Sequence, residues 1–174
     1  NPVLGMQLVQ DECRSDSLIR DGQQLDSGLE IPLLQHLQLL TTICEAIAFA
    51  HDQGVIHRDI KPGNVMLGNF GEVYLVDWGL AAQLDEHGKF APPGFTGTPA
   101  YAAPEMIHRD SVLDTRTDIY LLGSTLYEII TGNPPHSGDT IKEVFENIDL
   151  HPELEFPSWI PSELADICRR ALDP

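Results

Sequence analysis

Basic residues are scarce in this chain of 174 residues: 10 lysines and arginines stand against 27 aspartates and glutamates, a formal net charge of −17. Phosphate backbones and anionic lipid surfaces repel such a chain, which argues against nucleic acid or a membrane surface as its main partner. Cysteine is scarcer still. Cys13, Cys44 and Cys168 are odd in number, far apart and without a CxxC pair, and they read as reduced thiols in a reducing, cytoplasmic compartment. No apolar run approaches the roughly 18 residues of a membrane span, so the segment itself is expected to make no membrane contact, although an anchor outside it stays open. The opening Asn1–Met6 has neither the basic end nor the cleavage site of a signal peptide, and reads as a cut into a longer protein. Internal repeats and low-complexity stretches are also missing. What is present is a hydrophobic fraction of 42%, as in a folded globular protein, at about the length of one domain. The acid surplus reads first as a solvated surface and only second as a selector of basic peptides.

The pattern along the chain predicts a mainly helical α+β domain. Residues 3–9 read as a short strand, followed by a polar connector over 11–28 with a short helix around Ser17–Arg20. Pro32–Gln53 reads as one long helix, because Leu40, Ile43, Ile47 and Ala50 recur on one face and Gly54 stands at its end. Three short β runs follow, at Val55-Ile56, Val65–Leu67 and Val73–Val76, the last two flanking a hairpin-type loop at 68–72. Residues 77–105 carry glycines and prolines without periodicity, the mark of a functional or disordered loop. Helices are then expected over Thr117–Thr131, stopped by Gly132 and Pro134-Pro135, from Thr140 through a capping box with Glu143, and from a cap at Ser162 to Leu172.

Polar residues concentrate where the β runs meet their loops. His57-Arg58-Asp59-Ile60-Lys61-Pro62-Gly63-Asn64 packs an acid, two bases and an amide into eight residues. Asp77-Trp78-Gly79 follows an apolar strand, and Gly97-Thr98-Pro99-Ala100-Tyr101 and Ala103-Pro104-Glu105 come later. Singly, these are a surface aspartate and a loop-capping asparagine. In this order and spacing the blocks resemble the catalytic loop, the metal-binding DFG motif and the APE motif of protein kinases. The likeness extends to Met6-Gln7-Leu8-Val9, similar to the strand end and hinge where adenine docks, and to Asp118–Gly123, similar to the start of the buried central helix. It covers nearly the whole chain, and the Asp-Trp-Gly phrase is similar to bacterial eukaryotic-like kinases.

The resemblance implies a protein-kinase-like fold seen from the hinge onward. Residues 1–10 would be the hinge, 11–174 the C-terminal lobe, 57–64 the catalytic loop and 77–105 the activation segment, with the N-terminal lobe absent. It further implies a serine/threonine kinase using ATP with Mg²⁺ (or Mn²⁺) on a protein Ser/Thr hydroxyl. Asp59 would accept or orient the hydroxyl proton, and an ionised carboxylate suits that because it only accepts hydrogen bonds. Lys61 would reach the γ-phosphate. Asn64 and Asp77 would supply oxygen to the metal. Thr98 would bond Asp59 and Lys61, which points away from tyrosine kinases. Gln7, Val9 and Met66 would line the adenine site. Arg58 would hold a phosphorylated activation loop, for which Thr96 is the available hydroxyl. His57, Trp78, Glu105 and Asp118 would be structural: a packed histidine, an aromatic among apolar neighbours, a carboxylate awaiting an arginine, and an acceptor bracing the catalytic loop.

Several family features are missing from these residues: the Gly-rich phosphate loop, the strand lysine and its glutamate, and an arginine beyond Leu172 to pair with Glu105. The segment alone is therefore expected to be inactive. Gly63 stands where arginine-directed kinases often carry Glu. Two rivals remain at this point: a pseudokinase scaffold, against which Asp59, Lys61, Asn64 and Asp77 count, and a small-molecule phosphotransferase, which lacks a peptide-docking segment.

Overall fold

A computed structural model describes residues 7–8, 30–68 and 70–174. The expected helix near Ser17 and the position of Val9 lie outside them. Five α-helices and five short strands are described: β1 (Gln7–Leu8), α1 (Glu30–Asp52), β2 (Val55–Ile56), β3 (Val65–Leu67), β4 (Val73–Leu75), β5 (Ala82–Gln83), α2 (Pro104–Ile107), α3 (Thr115–Thr131), α4 (Ile141–Leu150) and α5 (Ser162–Ala171).

The α1 helix forms where periodicity placed it, because Ile43, Ile47 and Ala50 lie on one face and are buried there. Burying each isoleucine contributes roughly 1.5–3 kcal/mol. By length and composition alone, Leu33–Asp52 is apolar enough to cross a membrane, which an inspection of uninterrupted runs does not register. In this domain its apolar stripe packs on α3 instead.

α3 is the central post. Thr117, Asp118, Tyr120 to Leu126 and Ile130 are buried, so it is covered on almost every side. It begins two residues before the predicted Thr117, because the Asp114 side chain caps it by accepting from the Arg116 N–H. Lys89 and Arg116 both pair with the Asp114 carboxylate and hold its pKa far below the usual range, Arg116 most strongly. Gly123 lets α5 lie against α3, since a Cβ there would sit 2.8 Å from the Cβ of Ala171. α4 opens as its capping signal predicted: Thr140 accepts from the Glu143 N–H at 3.2 Å. Its reciprocal bond is displaced by one residue, running from the Asp139 N–H to Glu143 at 2.8 Å. Ser162 does not cap α5. The cap position is Pro161, and the Ser162 hydroxyl donates to Glu163 instead.

The strands serve the loops. β1–β3–β4 form an antiparallel sheet with Leu8 opposite Met66 and Met66 opposite Tyr74. β2 pairs antiparallel with β5, Ile56 opposite Ala82. The predicted structureless stretch from 77 to 105 therefore holds a strand, two single-turn 3₁₀ segments at Trp78–Leu80 and Pro99–Tyr101, and the start of α2. A bridge from Phe90 to Leu113 ties its middle down. Local periodicity cannot reveal this order, because the partners that create it come from elsewhere in the chain.

Candidate active site

The chain leaves β2 at Ile56 and runs inside the protein. His57, Arg58, Asp59, Ile60 and Asn64 are all buried. Buried polar groups need partners, and the first comes from α3. Asp118, fully buried, accepts the His57 N–H on Oδ2 at 2.8 Å and the Arg58 N–H on Oδ1 at 2.9 Å. Between these bonds Arg58 adopts φ 74°, a left-handed conformation uncommon outside glycine. The His51 ring, at the end of α1, donates from Nε2 to Asp118 Oδ2 at 2.8 Å. Sequence reasoning missed His51, although it continues the Ile43–Ile47 stripe at a spacing of four.

The backbone turn delivers Asp59 to a cluster of donors. Thr98 Oγ1 donates to Oδ1 at 2.7 Å, while Lys61 Nζ and Asn64 Nδ2 donate to Oδ2 at 2.9 and 3.1 Å. Asn64 Nδ2 also reaches the Asp59 carbonyl at 2.7 Å, and Lys61 Nζ reaches Thr98 Oγ1 at 2.5 Å. Burial alone would push the Asp59 pKa up. The bonds from Thr98, Lys61 and Asn64, with the Lys61 charge, outweigh it and hold the carboxyl below its ordinary value. The result is an ionised, aimed carboxylate with an ammonium and a hydroxyl beside it.

Thr98 reaches this cluster because Gly97 precedes it. At φ +123°, a Cβ on Gly97 would stand 3.1 Å from the Arg58 carbonyl. Only a residue without one allows the segment around Gly97 so close to the loop that carries Arg58 and Asp59.

His57 has both ring nitrogens committed to backbone. Nδ1 accepts the Asp59 N–H at 3.3 Å, which leaves the proton on Nε2, facing the Val76 carbonyl at 3.2 Å. Burial lowers its pKa despite the acids nearby. It packs edge-on against Trp78 with ring centroids 4.6 Å apart. Trp78 itself is 39% exposed, not enclosed by apolar neighbours as expected, and its indole N–H donates to the Leu75 carbonyl at 2.9 Å.

The β3–β4 hairpin brings the two oxygen-bearing residues together. The Val76 N–H donates to the Asn64 carbonyl at 2.8 Å, so Asn64 lies opposite the residue before Asp77. Asp77 takes φ 62° and is exposed. Because the Asn64 amide nitrogen is spent on Asp59, its side-chain oxygen is left as the acceptor. One carboxylate and one amide oxygen suit Mg²⁺, which takes few protein ligands and completes its shell with phosphate and water. No cluster of three His, Cys, Asp or Glu that could hold a metal occurs among the described residues.

Arg58 points the other way, to residues 80–96. Its guanidinium donates to the Leu80 carbonyl at 3.0 Å and to the Thr96 hydroxyl, and lies 4.7 Å from the Phe90 ring centre. No carboxylate pairs with it among the described residues, and its Nε is buried without a hydrogen-bond partner. Glu105, expected to lack a partner, accepts from the Thr117 hydroxyl at 2.7 Å. The Gln7 position pairs with Leu67 and its neighbour Leu8 with Met66, which puts the predicted hinge beside Met66. Sequence reasoning also missed Tyr101, whose hydroxyl donates to Glu128 of α3 at 2.6 Å.

The model of the protein kinase domain matches residues 6–174. The chain belongs to the protein kinase family. It is 36% identical over 140 residues to serine/threonine-protein kinase PknB of Mycobacterium leprae, covering 80% of this chain and 21% of that one. It is 34% identical over 141 residues to the probable serine/threonine-protein kinase PknB of Bifidobacterium longum, covering 78% and 20%. It is 36% identical over 146 residues to serine/threonine-protein kinase PknD of Protochlamydia amoebophila, covering 74% and 15%. The chain thus spans about a fifth of the length of the curated relatives it matches. Its similarity is to bacterial serine/threonine-protein kinases.

Proposed function

We propose that the chain is the C-terminal lobe of a serine/threonine protein kinase, from hinge (1–10) to penultimate helices. It would transfer the γ-phosphoryl of ATP, with Mg²⁺ or Mn²⁺, to a protein Ser/Thr hydroxyl. The observation that carries this is the donor set around Asp59. A lysine, a threonine and an asparagine from two segments converge on one buried carboxylate.

In the proposed step the substrate oxygen forms a bond to the γ-phosphorus as the bond to the bridging oxygen of ADP breaks. The transition state is loose, so the protein mainly positions groups and offsets charge. Asp59 orients the hydroxyl and accepts its proton, and its lowered pKa keeps it ionised for that role. Lys61 compensates charge on the phosphoryl oxygens. Thr98 fixes the Asp59–Lys61 pair and, with Pro99–Tyr101, forms the floor on which the peptide lies. Asn64 and Asp77 would hold the metal, which supplies charge neutralisation at the phosphates when bound. Gln7, Val9 and Met66 would contact adenine. Arg58 is the docking point for phosphate on Thr96, since an anion there would meet a buried guanidinium without a carboxylate. The remaining partners are an N-terminal lobe, which would cover Trp78 and complete the ATP site, and the protein substrate. Use of ATP would put this domain on the cytoplasmic side, with neither nucleic acid nor lipid as its partner, and without the upper lobe the segment is expected to be inactive.

The test is phosphate transfer from Mg·ATP to a Ser/Thr protein substrate by the full-length protein against its Asp59→Asn variant. A loss of at least a hundredfold is expected, and equal rates would defeat the reading. For Thr96, the Thr96→Ala enzyme should lose loop phosphate and activity together; unchanged activity removes the regulatory role.

A further inference from the structure

The Pro99–Tyr101 turn is held at one end by Thr98, which bonds Asp59 and Lys61. At the other end the Tyr101 carbonyl accepts the Ser124 hydroxyl at 3.0 Å. The carbonyl between them, on Ala100, accepts the backbone N–H of His136 at 3.2 Å. His136 lies in the loop between α3 and α4 and is 4% exposed. Its Nε2 is 2.9 Å from the Tyr120 hydroxyl of α3, and the two rings stack with centroids 6.0 Å apart. Burial pushes the Tyr120 pKa up, so that hydroxyl keeps its proton and donates it to the bond. Burial also holds His136 neutral, with its pKa lowered to about 4. The ring's own proton is therefore on Nδ1. That nitrogen and Asn147 Oδ1 of α4 are both buried and otherwise unsatisfied, and Asn147 acts on the imidazole as a hydrogen-bond acceptor. α4 itself packs on the Pro99–Tyr101 turn, and its Phe145 meets Phe95 edge-on at 4.9 Å.

We propose that His136 is a positioning residue for docking of the protein substrate, its ring tied to Tyr120 and Asn147 while its backbone holds the Pro99–Tyr101 turn; this rests on the kinase reading above. A substrate chain whose hydroxyl reaches Asp59 runs along this turn, because Thr98 joins the turn to the carboxylate. Two polar anchors, one on each neighbouring helix, give the ring a single orientation. The His136 amide, and the Ala100 carbonyl bonded to it, then have a single position. With both anchors gone the ring is held by apolar packing alone, which is non-directional, and the middle of the turn loosens. Thr98 keeps its own bonds to Asp59 and Lys61 and stays in place. The transfer step therefore keeps its rate while the substrate loses affinity. The net contribution of one hydrogen bond corresponds to about fivefold in an equilibrium constant, which sets the scale of the loss.

The experiment uses the full-length protein, Mg·ATP and a Ser/Thr protein substrate, with kcat and both KM values measured. His136→Phe keeps a ring that can stack on Tyr120 but removes both polar anchors, and His136→Gln keeps an acceptor for the Tyr120 hydroxyl. The expected result is a KM for the protein substrate about fivefold higher in His136→Phe, with kcat and KM for ATP within about twofold of wild type. His136→Gln should bring the protein-substrate KM back to within about twofold. A purely structural role would lower kcat, as the active fraction falls, and leave both KM values alone; that outcome overturns the proposal. So does a protein-substrate KM less than twofold above wild type in His136→Phe, or an equal rise in the two variants. Should His136→Phe not fold because the Tyr120 hydroxyl is left buried without a partner, the double variant His136→Phe, Tyr120→Phe replaces it. The same rise in protein-substrate KM is expected there, and no rise refutes. The kinase reading is judged separately: wild-type transfer that persists in Asp59→Asn removes that reading, and this proposal with it.

Discussion

Thr98→Ala would remove one hydroxyl that both donates to Asp59 at 2.7 Å and accepts from Lys61 at 2.5 Å. The Asp59 bond is the costlier loss, because the carboxylate is buried and charged. A hydrogen bond to a charged group contributes about 1.5–3 kcal/mol. Lys61, with 24% of its side chain exposed, recovers water in place of the lost acceptor, so its share is small. The expected destabilisation at pH 7 is about 2 kcal/mol. Its pH dependence follows from the direction of the Asp59 shift. A carboxyl whose folded pKa lies below the unfolded one contributes stability above the unfolded pKa, and loses it as pH falls through the folded value. Removing Thr98 raises the folded pKa, so the gap between wild type and variant is full at pH 7. It closes below the ordinary aspartate range of about 3.9. Urea unfolding of the protein, followed by circular dichroism at pH 7 and at pH 3, measures both quantities. A gap under about 0.5 kcal/mol at pH 7, or one undiminished at pH 3, refutes the argument, since Thr98 would not then act on the charged form of Asp59.

Gly97→Ala would force a Cβ to 3.1 Å from the Arg58 carbonyl at φ +123°. It should cost about 1–3 kcal/mol in calorimetric stability and most of the transfer activity. Asp118→Asn would turn an acceptor of three hydrogen bonds into a group that must face one donor with another. A loss of about 3 kcal/mol is expected by thermal unfolding, and less than 1 would show that the loop at 57–59 is held elsewhere. Trp78→Phe would give up the indole bond to the Leu75 carbonyl at a side chain 39% exposed. Urea unfolding should register under about 1 kcal/mol, because water can serve the freed carbonyl.

What was legible in the sequence was whatever local pattern controls. The Ile43–Ile47–Ala50 stripe, the Thr140 cap and the β3–β4 hairpin all stand within two residues of expectation. The residues of the Asp59 cluster stand in motifs that composition alone would not flag and spacing does. The misses share a cause. Trp78 is expected to be enclosed from its residue type, but enclosure depends on what packs over it. The order within 77–105 comes from partners at Leu113, Asp114 and Arg58, more than twenty residues away for most contacts. Glu105 finds Thr117, a hydroxyl that no motif assigns to it. His51 was hidden because a histidine ending a helix reads as a dipole cap, and only the fold shows a buried carboxylate opposite.

The first turn of α3 touches two different parts of the site. Thr117 bonds Glu105 of α2, while Asp118 bonds the loop that carries Asp59. Both are therefore surveyed from one benchmark. When the helix shifts, the Asp59 loop and the segment that ends at Glu105 shift in the same sense, and the separation between them is conserved. Had each been moored to its own element, small displacements would add. The domain can thus tolerate breathing of its outer helices while preserving the spacing between those two segments.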